Sequence, residues 1–211
     1  MSDLARQLAA DLAPAPRNLV LRRLFLGLGG GLLTSIVLTL AILGPRPDMM
    51  PAMKTTMFWA KLAYPLCLAA IAAFAAERLA RPAATASSRL AWLPLPVVLV
   101  VGLALVIFLV APPVARDSML MGHSARLCPF LVLACSIPPL AGLVWAMRGL
   151  APTRLAETGF VIGIAAGGAG AFAYAWHCNE TGAPFLAVWY TLGILAAAVA
   201  GWLAGPRLLR W

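Results

Sequence analysis

The sequence predicts an all-α integral membrane protein with six transmembrane helices and both termini in the cytoplasm. Three observations lead there. Of 211 residues, 63% are hydrophobic and 11% charged, against about 45–50% and about 25% in soluble chains. Six apolar stretches approach the roughly 20 residues that a hydrocarbon core requires, and a span that must satisfy its own backbone polar groups is a helix. Finally, Lys and Arg alternate from loop to loop. Eleven (Arg6, Arg17, Arg22, Arg23, Arg78, Arg81, Arg89, Arg148, Arg154, Arg207 and Arg210) fall on the termini and the even loops, while Arg46, Lys54, Lys61, Arg116 and Arg126 fall on or beside the odd loops. The excess of positive charge marks the cytoplasmic side. The net charge of +9 is therefore distributed by membrane side, and it gives no basic face for direct binding of nucleic acid.

Residues 1–22 form the one sizeable piece expected outside the membrane, and residues 23–211 a six-helix transmembrane domain. Asp3 and Asp11 precede the apolar run, and no small-residue cleavage site follows it, which argues against a signal peptide. In `MSDLARQLAADLAPAP`, Leu4, Leu8 and Leu12 recur every four residues, Ser2 or Asp3 offers a cap, and Pro14 and Pro16 stop the helix. A helix this short needs a surface to fold against: a protein, lipid headgroups, or the chain's own cytoplasmic loops.

The first span, Leu24–Leu43, leads into `GPRPDMMPAMKTT`, whose prolines predict an extended external loop. Met49, Met50, Met53 and Met57 could bind a soft metal, but they lack tight ligand spacing and are expected to pack at the interface. The second span, Phe58–Ala76, contains Pro65, expected to bend it, and Lys61, expected to snorkel to the external interface. The basic loop `ERLARPAATASSR` follows on the cytoplasmic side.

`LPLP` and Pro112–Pro113 punctuate the third span, Leu90–Ala111, and Pro138–Pro139 break the fourth, Leu127–Met147. The fifth, Leu155–Trp176, carries Gly163 and Gly167 in a `GxxxG` pattern suited to close helix packing. The sixth is Ala183–Ala204. Trp59, Trp92, Trp145, Trp176, Trp189, Tyr190 and Trp211 suit membrane interfaces.

Reactive chemistry gathers on the predicted outer side. Cys67 and Cys135 sit within spans as small apolar residues, whereas Cys128 starts the fourth span and Cys178 falls in the fifth loop, `AWHCNET`. Topology thus brings together two thiols 50 residues apart in sequence. His123, His177 and Glu180 lie near them, so Cys128, Cys178, His123 and His177, with Glu180 as an oxygen alternative, could supply four ligands to zinc or another soft metal. A disulfide between Cys128 and Cys178 in an oxidising compartment is the alternative, and a passive capped turn is a third. No paired carboxylates and no close redox motif point to catalysis, so an enzyme is not expected.

The stretches `LCPFLVLACSIPPLAGLVWAMRGLAPTRL` and `GAFAYAWHCNETGAPFLAVWY`, the terminal `GPRLLRW` and the N-terminal `DLAP` together resemble the NrsF family of integral-membrane anti-sigma factors, over nearly the whole chain. The resemblance implies a multi-pass protein of the bacterial inner membrane, in contact with its lipids. Its cytoplasmic N-terminus would hold an ECF-type sigma factor and release it under external heavy-metal or oxidative stress. Sensor roles pass to Cys128 in `LCPF` and Cys178 in `WHCNE`; Leu4, Leu8, Asp11 and Leu12 become the expected sigma-binding residues. A small membrane transporter and a thiol-redox membrane protein are the competing functions.

Overall fold

The computed structural model describes residues 18–81, 90–150 and 152–210. All regular structure among them is helical. In chain order the elements are α1 (Leu19–Ile42), α2 (Met49–Ala52), α3 (Thr56–Leu79), α4 (Pro94–Val110), α5 (Pro113–Met121), α6 (Cys128–Cys135), α7 (Ile137–Arg148), α8 (Leu155–Ala175) and α9 (Ala183–Phe185). A π-helical turn, Leu186–Tyr190, then leads into α10 (Thr191–Leu208).

Five helices are long and apolar enough to cross a membrane: Leu19–Ile42, Thr56–Leu79, Cys128–Arg148, Leu155–Ala175 and Ala183–Leu208. The expected third span, Leu90–Ala111, appears as α4 with 17 residues. At 1.5 Å per residue it reaches about 25 Å, the lower edge of spanning length. Ala111 at its C-terminal end is extended (ψ 142°) because Pro112 follows.

Helix α8 is the hub. Sixteen of its residues are buried, on every face, which its small side chains permit. A Cβ at Gly163 would fall 2.6 Å from the Ala197 carbonyl oxygen and 2.8 Å from Ala198 Cα, and one at Gly167 would fall 3.0 Å from Ile194 Cα. The packing face expected of these two glycines therefore exists, against α10, and Gly159 extends it by meeting the Gly201 carbonyl. On another face Gly168 lies against Pro65 and Ala69 of α3, while Gly170 lies against Ser136 at the α6–α7 break.

The break itself has a chemical logic. Pro139 has no N–H to offer the carbonyl of Cys135, four residues earlier. Ser35 of α1 donates its hydroxyl to that carbonyl at 2.7 Å instead. Ser35 belongs to a buried stripe, Gly27, Gly31, Ser35 and Thr39, that recurs every four residues and lets α1 approach α7 until Gly27 and Gly142 meet backbone to backbone. The faces left over carry Phe25, Val98, Leu99, Phe130 and Trp202, all exposed, as suits helices surrounded by lipid.

Two local expectations change. The first loop, expected to be extended, contains the helical turn α2, whose Met53 N–H closes onto the Met49 carbonyl at 3.0 Å. Lys61 does not snorkel outward: it is 3% exposed and directed into the protein, for a reason developed below.

If α8 is held through glycine contact, Gly163→Leu collides with α10 backbone and should destabilise the detergent-solubilised protein by at least about 2 kcal/mol, the upper range for overpacking. Gly29→Leu, with nothing within 4 Å of its added Cβ, should leave the unfolding temperature unchanged. Thermal unfolding of both variants measures the contrast.

Candidate functional site

The site grows from the C-terminal end of α8. The last carbonyls of a helix and those of the turn beyond it lack intrahelical partners, and the macrodipole places partial negative charge there. At a buried end, water cannot supply the missing donors. Two cations do so instead. Lys61 Nζ donates to the carbonyl oxygens of Cys178 and Glu180, both at 2.7 Å. The backbone N–H of Arg46 donates to the Trp176 carbonyl at 3.1 Å, and its Nη2 to the Asn179 carbonyl at 3.4 Å. His177 adds a ring contact, Nδ1 to the Gly44 carbonyl at 3.0 Å. A cation at a helix C-terminus contributes about 0.3–1 kcal/mol at the surface and up to about 2 kcal/mol in partly buried geometry.

Each cation is itself supported. Arg46, 2% exposed, forms a bidentate pair with Asp48, Nε to Oδ1 and Nη2 to Oδ2 at 2.7 Å each, and its guanidinium lies 5.7 Å from the Phe58 ring centroid. The pair holds the Asp48 carboxyl below its ordinary range and raises Arg46 against the opposing effect of burial. Lys61 stands 5.3 Å from the centroid of the Tyr190 ring, on the π-helical turn. Such turns recur at functional sites because they displace one residue from the regular helical face.

Glu180 ties the opposite side. Its Oε1 accepts from the backbone N–H of His123 at 2.6 Å, the N–H of Ser124 at 3.2 Å and the Ser124 hydroxyl at 3.3 Å. Gly122 has φ +50° and packs so close to this carboxylate that an added Cβ would sit 2.5 Å from Oε2, which explains glycine at that turn. The Ser124 carbonyl in turn accepts the Cys128 N–H at 2.8 Å. One residue therefore joins the turn that carries Cys178 to the turn that carries Cys128.

Both cysteines are free and buried. Cys178 lies in the turn that follows α8, its N–H bonded to the Tyr174 carbonyl at 3.0 Å, and Cys128 is the first residue of α6. The two cysteines belong to one buried cluster. Tyr174 and Tyr190, rings 5.9 Å apart, complete the wall. The structure places both predicted cysteines in the same buried core.

The wider ligand set is not assembled. The His123 side chain is 98% exposed, with Nδ1 3.8 Å from Glu180 Oε1; the His177 ring is occupied at Gly44; and the Glu180 carboxylate is engaged by backbone donors. Among the described residues no three His, Cys, Asp or Glu side chains converge as a metal site. Cys135 contacts the Thr39 hydroxyl at 3.3 Å, and Cys67 is exposed on α3. Leu4, Leu8, Asp11 and Leu12 lie outside the described residues.

A profile described as "NrsF: Negative regulator of sigma F" matches residues 8–211, which include every element of this site. The chain belongs to the NrsF family. Two relatives of that family cover nearly the whole chain. The "Probable anti-sigma-F factor NrsF" of Azospira oryzae is 38% identical over 209 residues, 99% of this chain and 98% of the relative. The "Anti-sigma-F factor NrsF" of Caulobacter vibrioides is 40% identical over 214 residues, with the same coverage of each chain. No solved structure matches the chain. The family places this protein among negative regulators of sigma F.

Arg46, Lys61 and Ser124 were not among the residues that the sequence singled out as functional. A signal for Lys61 was present: an ionisable residue inside an apolar span implies a partner in the protein. Arg46 carries only the weak signal of a bidentate partner two residues away.

Asp48 supplies a pH test. Its carboxyl is depressed when folded, so the Arg46 pair contributes stability above the ordinary value of 3.8 and loses it as pH falls through the lower folded value. Asp48→Asn should flatten this acid-side loss while leaving the neutral-pH unfolding temperature lowered. Thermal unfolding between neutral pH and pH 3, read as a difference from the unsubstituted protein, checks the sign.

Proposed function

We propose that the chain is a membrane-bound anti-sigma factor that holds an ECF-type sigma factor on its cytoplasmic N-terminal segment, residues 1–22, and releases it when Cys128 and Cys178 are modified from the periplasm. In this reading the protein lies in the bacterial inner membrane with both termini inside, α4 serves as the third of six spans, and the odd loops face outward. Family membership supports the anti-sigma role. The juxtaposition of Cys128 and Cys178 in one buried cluster at the end of α8 is the observation that carries the sensor role.

Two modifications suit a thiol pair. A two-electron oxidant can take the electrons as the thiols lose two protons and a sulfur–sulfur bond forms between Cys128 and Cys178. A thiophilic metal cation can instead displace the two protons and bind both thiolates. Zinc or another soft metal is the corresponding cofactor class, and the surrounding geometry favours a two-thiol attachment over a four-ligand site. Either event acts on the end of the helix that packs against α3, α6 and α10.

Movement of that hub would change the cytoplasmic ends of the helices, and with them the surface on which a sigma factor held by residues 1–22 could rest. Turning a 1:99 equilibrium into 99:1 takes about 5.5 kcal/mol of differential stabilisation, a scale within reach of disulfide or metal chemistry. Lys61 does not favour transport over this reading, because its ammonium is occupied by backbone carbonyls.

Co-purification of the full-length protein with its sigma factor, before and after treatment with a thiol oxidant or cadmium ion, tests partner and signal together. Treatment should lower bound sigma at least tenfold, and the C128S/C178S double variant should retain it. A normal response in that double variant would remove the thiol mechanism. Replacing Leu8 and Leu12 by Asn should release sigma with membrane insertion intact; sigma still captured by this variant would reject the tail as the binding segment.

A further inference from the structure

Lys61 is the feature that the sensor reading leaves without a role. Burying an ammonium inside an apolar helix is costly and persists where specific partners hold it. Its two hydrogen-bond acceptors are the carbonyls of Cys178 and of Glu180. The first belongs to a proposed sensor residue and the second to the residue whose carboxylate grips the turn before Cys128. Cys128 and Cys178 are buried in the same region, at 0% and 3% exposure, and the lysine that closes the Cys178 turn stands on α3, Thr56–Leu79.

We infer that Lys61 is a positioning residue: a latch that closes the Cys178 turn onto α3, so that reagents reach the thiol pair, and α3 responds to its modification, through opening of the same contact. The inference rests on the thiol reading for what the latch reports, but its gating half stands on geometry alone. A buried thiol reacts in proportion to the fraction of time its cover is open. Removing two charge-assisted bonds from the cover raises that fraction. Changing the backbone at residue 178 in turn displaces the two acceptors together with the turn, and the ammonium must follow or lose them. The thiol state and the position of α3 are therefore linked in both directions.

The test is the rate of alkylation of Cys128 and Cys178 by N-ethylmaleimide in the full-length membrane protein, followed peptide by peptide by mass spectrometry, together with sigma retention. Lys61→Met keeps the aliphatic stem and deletes the donors; it should alkylate at least about tenfold faster at Cys178 and respond to oxidant with a smaller loss of sigma. Lys61→Gln, which keeps an N–H₂ donor without the charge, should fall between it and the unsubstituted protein. A merely structural lysine would lower thermal stability in both variants without this graded change in thiol access.

Alkylation of Lys61→Met at the unsubstituted rate overturns the latch. Where Lys61→Met fails to insert, Lys61→Gln decides alone, and an unchanged rate there overturns it equally. The two readings fail differently. Oxidised protein that keeps its sigma factor defeats the thiol sensor whatever Lys61 does; a C128S/C178S variant that loses the response beside a Lys61→Met variant that keeps both normal access and normal release defeats only the latch.

Discussion

The structure depends on how a helix that is buried along its whole length can end. Helix α8 has neither water nor lipid against most of its surface, so the carbonyls at and beyond its C-terminus need donors from within the protein. Arg46 and Lys61 provide them, from the first loop and from α3 respectively. Cations suit that place twice over, because they donate hydrogen bonds and oppose the negative end of the helix dipole. Short donors such as Ser or Asn could meet one carbonyl but could not reach across from α3 to two.

The same demand organises the break between α6 and α7. Pro139 frees the Cys135 carbonyl and Ser35 meets it, so the interrupted helix is locked by α1 at the point where Gly170 brings α8 against Ser136. Small residues make these approaches possible: glycine at 27, 31, 142, 159, 163, 168 and 170 puts backbones against backbones, and such interfaces tolerate little sliding. A displacement at one end of α8 is consequently felt by α3, α7 and α10 together, as expected of packed elements that shift between discrete arrangements.

Much of this was legible in the sequence because it follows from period and composition. The bounds of the apolar runs lie close to those of the helices, since backbone satisfaction in hydrocarbon leaves few alternatives. Gly163 and Gly167 announced a close-packing face on α8 without its partner, and the loop order alone put Cys128 and Cys178 on one predicted side. What could not be read was the route of long side chains. The direction of Lys61 depends on whether the nearest unsatisfied groups lie in water or in the protein, and only the folded position of the 176–180 turn decides it. The one-turn helix α2 was hidden for a related reason: Pro51 in `DMMPAM` suggests extension, yet the Met49 carbonyl is met by Met53 N–H, a bond that a proline at position 51 leaves free to form. His123 and His177 show the converse, attractive as ligands by residue type and committed by the fold to solvent and to Gly44.

Glu180 shows why the cluster should respond as a unit. Its carbonyl accepts from Lys61 of α3, and its carboxylate accepts from the 123–124 turn that leads into Cys128, so a single residue is held by two elements through two different groups. A shift of the Cys178 turn that spared one of these bonds would strain the other, and an orphaned buried acceptor costs about 1–3 kcal/mol. Partial opening is therefore disfavoured relative to either closed or fully open arrangements. The two carbonyls that accept from Lys61, together with the carboxylate, tie the turn to α3 and to the 123–124 turn at once. In the sensor reading proposed above, thiols enclosed by the closed form would let a modest chemical change at sulfur decide between two states of the bundle instead of bending one of them.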